Sequence, residues 1–180
     1  MSVDHTPQPD APSPRPISPA ESAAGELSHV DRSGQARMVD VGAKPATGRL
    51  ARAQGAIRMS AGAFALLSEN RIGKGDVLTV AKVAGLMASK RTADLIPLCH
   101  PVALSHADVT LTLDASLPGV QVEASARTTG PTGVEMEALT AATVALLTIY
   151  DMAKAVDRGM VIEGVRVVEK AGGASGTWRA

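Results

Sequence analysis

Aromatic side chains are nearly absent from this sequence: Phe64, Tyr150 and Trp178 are the only three in 180 residues. Binding of single-stranded nucleic acid by base stacking is thereby disfavoured, because that mode needs several aromatic platforms. Cysteine occurs once, at Cys99, which excludes an internal disulfide and any multi-cysteine zinc or iron–sulfur site. A reducing compartment, and hence a cytoplasmic location, is the natural expectation. Net charge is lacking as well, with 18 basic against 18 acidic side chains. What is plentiful is small and aliphatic: 45% of the residues are hydrophobic, enough for a core in one domain of this length.

Residues 1–27 differ from the rest. They hold six of the eleven prolines, show no apolar periodicity, and carry Asp4, Asp10, Glu21 and Glu26 against Arg15 alone. This composition predicts a disordered tail. It lacks the apolar stretch of a signal peptide and has the wrong sign for a transit peptide, and no membrane partner is expected. Residues 28–180 then hold 17 basic and 14 acidic side chains, a formal surplus of +3. That suits an anionic small molecule and is weak for a nucleic-acid binder, so no nucleic acid is expected as a partner.

From residue 28 to 176 the patterning predicts a single α+β domain, with 177–180 as a flexible end. Residues 38–41 and 49–59 are candidate strands. Ser60 is placed to cap a short helix through Leu67, and Asp76 to cap a second running to about Lys90. Pro97 and Pro101 impose an irregular stretch around His100. Residues 107–114 and 120–127 alternate with period two around Pro118-Gly119, which predicts a hairpin. Thr132 or Gly133 opens the longest helix, expected to end near Val156 or Asp157, and residues 161–170 close the domain as a strand before a glycine-rich segment, 172–176. Strand pairs with helices on one face make an α+β sandwich.

The long helix serves as a ruler. Glu137 and Asp151 are fourteen residues apart, which puts them within about 40° on one face but roughly 21 Å apart along the axis. They cannot grip one small group of atoms from a single straight helix. Either a long ligand spans both, or a second subunit completes the site, with Lys74, for example, coming from one chain and Asp151 from its neighbour. Asp151 and Lys154, at i,i+3, can meet directly.

Taken singly, these residues have bland readings. An i,i+3 Asp–Lys pair is usually a surface ion pair, His100 could be a core histidine satisfied by backbone groups, and Glu135 and Glu137 suit a helix N-terminus whatever they do. Lys44, Arg49, Arg52, Lys74 and Lys170 could all be solvated. Cys99-His100 with His106 makes a poor metal set, because adjacent ligands on extended backbone point apart; no metal site is expected.

Together they are specific. The segments Met38-Val39-Asp40-Val41, Lys74-Gly75-Asp76-Val77, Lys90-Arg91-Thr92-Ala93-Asp94-Leu95-Ile96-Pro97-Leu98-Cys99-His100-Pro101, Thr132-Gly133-Val134-Glu135-Met136-Glu137-Ala138-Leu139-Thr140 and Asp151-Met152-Ala153-Lys154 occur in that order. In this the chain resembles the cyclic pyranopterin monophosphate synthase family, the molybdenum-cofactor biosynthesis protein C family. The resemblance runs from about Leu27 to Gly176, with a poor match at residues 68–73.

The resemblance implies a ferredoxin-like antiparallel sheet with helices packed on one face, assembled as a homohexamer, a trimer of dimers, with sites between subunits. It implies a lyase that converts 3′,8-cyclo-7,8-dihydro-GTP, supplied by a separate radical GTP-cyclising enzyme, into cyclic pyranopterin monophosphate with release of pyrophosphate. Asp151 is then the catalytic residue, with Lys154 and Lys74 as proton-transfer partners and Lys170 nearby. Leu98, Cys99 and His100 form one substrate-binding edge, and Met136 with Glu137 another, joined by Glu135. Lys44 and Arg49, on a mobile loop, face the triphosphate. No cofactor is required, though Mg2+ can accompany the substrate phosphates. The rival expectation is an oligomeric nucleotide-binding module without turnover.

Overall fold

Period-two patterning becomes a five-stranded sheet in the computed structural model, which describes residues 34–174 and 176–180. The expectation for residues 1–27 lies outside the described residues. The strands are β1 (Thr47–Arg58), β2 (His106–Asp114), β3 (Gly119–Gly130), β4 (Val161–Ala171) and β5 (Trp178–Arg179), and the helices are α1 (Ala61–Ser68), α2 (Val77–Ser89), α3 (Thr92–Leu95) and α4 (Glu135–Ala153). The sheet order is β2-β3-β1-β4-β5, and every neighbouring pair is antiparallel. All of this lies within the unit formed by Met38–Ala180.

Alternation assigns the faces. On β1, Ala51, Ala53 and Ile57 are fully buried, and on β3 the same holds for Val120, Ala124 and Ala126, with α4 packed against both strands. The intervening positions carry Arg52, Gln54 and Glu123, which bond to one another: Arg52 Nη1 and Gln54 Nε2 donate to the Glu123 carboxylate at 3.3 and 3.0 Å. One face of the sheet is therefore a core wall and the other a polar ladder.

With so few aromatics, the core is filled by small side chains, and helices approach closely. Ala138, Ala142, Ala145, Leu146 and Ile149 of α4 are fully buried, and α2 presents Ala81 and Gly85 to the same helix. A Cβ at Gly85 would stand 2.7 Å from the carbonyl oxygen of Ala141, so glycine is what lets these two helices lie so near. By length and composition α4 could also cross a membrane, but 56% of its apolar window is buried inside the fold. Its hydropathy is that of a core helix.

Local signals explain the helix starts. Ser60 Oγ accepts from the Ala63 amide, and the Asp76 carboxylate accepts from the Thr79 amide at 3.0 Å and its hydroxyl at 2.6 Å. Three expectations need correction. Residues 38–41 form no strand. Helix α4 stops at Ala153 rather than near Asp157, whose carboxylate instead accepts from the Ser60 and Gly159 amides at 2.7 and 2.8 Å and shapes the turn. The C-terminal end, expected to be flexible, pairs with β4 as β5, Trp178 opposite Lys170 and Arg179 opposite Glu169.

Candidate active site

The C-terminal end of α4 gathers three charged groups. Lys74 stands in the connection between α1 and α2, between the buried Ile72 and Gly75, whose φ of +94° turns the chain into the Asp76 cap. Its Nζ donates to the Asp151 carbonyl oxygen at 2.9 Å and to the Asp151 carboxylate at 3.3 Å. Lys154 Nζ donates to the other carboxylate oxygen at 2.5 Å. The hydrogen bond from Lys154, then that from Lys74, holds the Asp151 carboxyl below the usual carboxylate range. All three side chains are exposed, so the pairs add little to stability. Their consequence is chemical: one ionised carboxylate orients two ammonium donors toward solvent. Lys74 and Asp151 thus meet within a single chain.

A second group lies at the other end of α4. Lys44, Arg49, Glu135 and Lys170 line a cleft of about 490 Å³. Arg49 lies on β1, in line with the strand expected over residues 49–59 and not on the loop that the resemblance implied; its Nε donates to the Gly130 carbonyl at 3.2 Å and Nη2 to that of Pro131 at 3.3 Å. Lys170, on β4, stands 3.5 Å from the Glu135 carboxylate. Sequence reasoning missed other contributors to the cleft. Thr47 lines the cleft with a buried hydroxyl that has no hydrogen-bond partner among the described residues. Gly172 and Gly173, read from sequence as part of a flexible segment, form a wall: a Cβ on Gly173 would fall 1.6 Å from an Arg49 guanidinium nitrogen.

A third group surrounds Glu137. Its side chain is buried, and burial raises its carboxyl above the ordinary glutamate range, helped by the nearby charge of Glu135. Burial, and then the charge of Glu137, pushes the Cys99 thiol up as well. Leu98 and His100 flank Cys99 and are half-buried, as is Met136. Cys99 thus lies within reach of the charge of Glu137, and Glu135 pairs with Lys170. Both groups lie at the opposite end of α4 from Asp151, with Glu137 roughly 21 Å from it along the axis. Among the described residues, no three His, Cys, Asp or Glu side chains come together as a metal-binding group.

The model of the MoaC family matches residues 38–173. The chain belongs to the MoaC family. A protein of Cereibacter sphaeroides named cyclic pyranopterin monophosphate synthase is 59% identical over 154 residues, covering 86% of this chain and 97% of that protein. Proteins of the same name from Brucella ovis and Brucella melitensis biotype 2 are 57% identical over 155 residues, covering 86% of this chain and 94% of each. All three groups of side chains fall inside the matched MoaC region. Strand β5 lies beyond it.

Proposed function

We propose that this chain acts in molybdenum cofactor biosynthesis as a lyase, converting 3′,8-cyclo-7,8-dihydro-GTP into cyclic pyranopterin monophosphate and pyrophosphate. Membership of the MoaC family across residues 38–173, with relatives of that name at 57–59% identity, carries the reading. The substrate comes from a radical GTP-cyclising enzyme. Ring opening, ring closure and cyclic-phosphate formation move protons between nitrogen and oxygen and transfer no electrons to the protein, so the reading calls for no resident cofactor. Mg2+ enters only as a companion of the substrate phosphates.

In this reading, Asp151 is the catalytic carboxylate that sets the charge state of Lys154 and Lys74, which pass protons as general acid and base. The cations of the cleft, Lys44, Arg49 and Lys170, face the triphosphate. When a ribose-derived hydroxyl attacks the α-phosphorus, a new P–O bond forms, the bond to pyrophosphate breaks, and these cations offset the charge that builds on the leaving group. Glu137 and Glu135, with Leu98, Cys99, His100 and Met136, receive the guanine-derived ring; an ionised carboxylate pairs well with its adjacent N–H donors.

The two ends of α4 then have to serve one substrate, which supports active sites shared between subunits of a homohexamer built as a trimer of dimers. Apolar side chains on the outer face of α2 fit such an assembly: Val80, Val83 and Met87 are 44%, 49% and 59% exposed. The βαββαβ element order, with strand order β2-β3-β1-β4, supports a ferredoxin-like topology. A cytoplasmic location fits the single cysteine and the intermediate acted on.

The test is direct. Purified chain is supplied with 3′,8-cyclo-7,8-dihydro-GTP, and pyrophosphate and cyclic pyranopterin monophosphate are quantified together. Stoichiometric appearance of both supports the reading. Binding without pyrophosphate release would make the chain a nucleotide-binding module instead.

A further inference from the structure

Strand β5 is too short to be justified by the core: its two residues are exposed. Yet it is tied down unusually well. Trp178 and Arg179 pair with Lys170 and Glu169, and the Ala180 amide donates to the Val168 carbonyl at 3.0 Å. Arg179 Nε and Nη2 both donate to one Glu169 carboxylate oxygen, at 3.1 and 2.9 Å. The other oxygen of Glu169 stands 3.3 Å from Arg52 Nε on β1, and Arg52 in turn reaches Glu123 on β3. Only 15% of the Glu169 side chain is exposed. An ionic chain therefore runs across four strands on the polar face of the sheet, anchored at its outer end by Arg179.

Period two places the next residue, Lys170, on the opposite face, where it meets Glu135 in the cleft. Directly after β4, Gly172 and Gly173 adopt φ of +95° and +76° and press against the Gly48 carbonyl and the Arg49 guanidinium. This tight wall lies between β4 and β5, so pairing of β5 with β4 restrains both of its ends.

We propose that β5 is a strap that holds the 172–174 wall and Lys170 in register with Arg49, and that Arg179 is a positioning residue for binding of the substrate's triphosphate. Arg179 itself touches no ligand. It acts through Glu169, whose neighbour Lys170 meets the anion. The inference rests on the reading of the cleft as the phosphate site, and adds to it a segment outside the region that defines the family.

The experiment uses the full chain, with inorganic tripolyphosphate as the binding probe and cyclised GTP as substrate. Arg179→Ala is expected to weaken tripolyphosphate binding and raise KM by about threefold to tenfold, the range an ion pair in a network can supply, with kcat within about twofold of wild type. Arg179→Lys, which keeps the charge but not the paired donors, is expected to recover part of the affinity. Trp178 is the only tryptophan, so its emission reports the strap: tripolyphosphate is expected to shift it in the wild type and to shift it less in Arg179→Ala. Lys170→Ala separates the two readings. If Lys170→Ala weakens tripolyphosphate binding while Arg179→Ala and a chain lacking residues 178–180 bind and turn over like wild type, the strap is overturned and the cleft stands. If Lys170→Ala binds tripolyphosphate normally, both readings fall.

Discussion

Lys74 Nζ bonds to both the carbonyl and the carboxylate of Asp151, at 2.9 and 3.3 Å, across 77 residues of sequence. A single ammonium group thereby pins the connection between α1 and α2 to the last turns of α4. Because Lys154 approaches the same carboxylate from within α4, the three charges form one unit whose net charge is +1 when all are ionised. Such a unit can release one proton from an ammonium and take it back without stranding a charge away from water.

Asp151→Asn tests that unit. The amide keeps the shape but cannot balance two ammonium groups, so turnover is expected to fall by about a hundredfold or more while substrate affinity is retained. Stability is expected to change little, because the lost ion pairs are exposed. Steady-state kinetics alongside equilibrium binding reads both. Turnover near the wild-type rate would remove Asp151 from the chemistry.

Glu137 makes a prediction about pH. Burial, and secondarily Glu135, raises its folded-state carboxyl above the ordinary value. Its contribution to stability is therefore fully present below the ordinary glutamate range and is lost as pH rises through the raised folded value. Glu137→Gln is neutral at every pH. Urea unfolding of the two proteins across that window is expected to show the variant gaining on the wild type as pH rises. Parallel curves would mean that Glu137 ionises in the fold without penalty.

The hairpin of β2 and β3 was legible because both strands gather their apolar residues on one face, buried along β3 and around Val109 on β2, so alternation records the environment. Ser60 and Asp76 were legible as caps because their role depends on the next three residues alone. Residues 38–41 misled because three apolar residues out of four satisfy a strand pattern without providing a partner to pair with. β5 was illegible for the converse reason: its pairing with β4 draws on Glu169 and Lys170, while Gly172, Gly173 and Gly176 look like flexibility until their positive φ values show a defined path. The site was half legible. Family motifs picked out Lys74, Asp151 and Lys154, and helix geometry separated Glu137 from Asp151, but neither could show that Lys74 crosses to Asp151 within one chain.

Gly85→Ala probes the small-residue core. The added methyl would meet the Ala141 carbonyl at 2.7 Å and Val109 at 3.1 Å, so α2 and α4 must move apart. The intrinsic helix preference for alanine favours the substitution by less than the overpacking disfavours it, and a loss of about 1–3 kcal/mol is expected. A lower urea midpoint with an unchanged slope is the signature. An unchanged or higher midpoint would show that the two helices have room to spare.

Subunit mixing discriminates between sites within and between chains. Lys74 and Asp151 meet in one chain, so co-assembling Lys74→Ala with Asp151→Asn subunits creates no site in which both residues are intact, and activity is expected to stay at the level of the separate variants. Glu137 and Asp151 are different: roughly 21 Å of helix separates them, so one reacting centre can use both only if they come from two chains. Mixing Glu137→Ala with Asp151→Asn subunits at equal concentration is then expected to restore about a quarter of wild-type activity, since one random pairing in four carries both intact residues at a two-chain site. Mass spectrometry of the mixed assemblies establishes that exchange has occurred. Recovery in the first mixture would break the intrachain Lys74–Asp151 unit; silence in the second, after verified exchange, would require each site to be built from one chain with a ligand long enough to span α4.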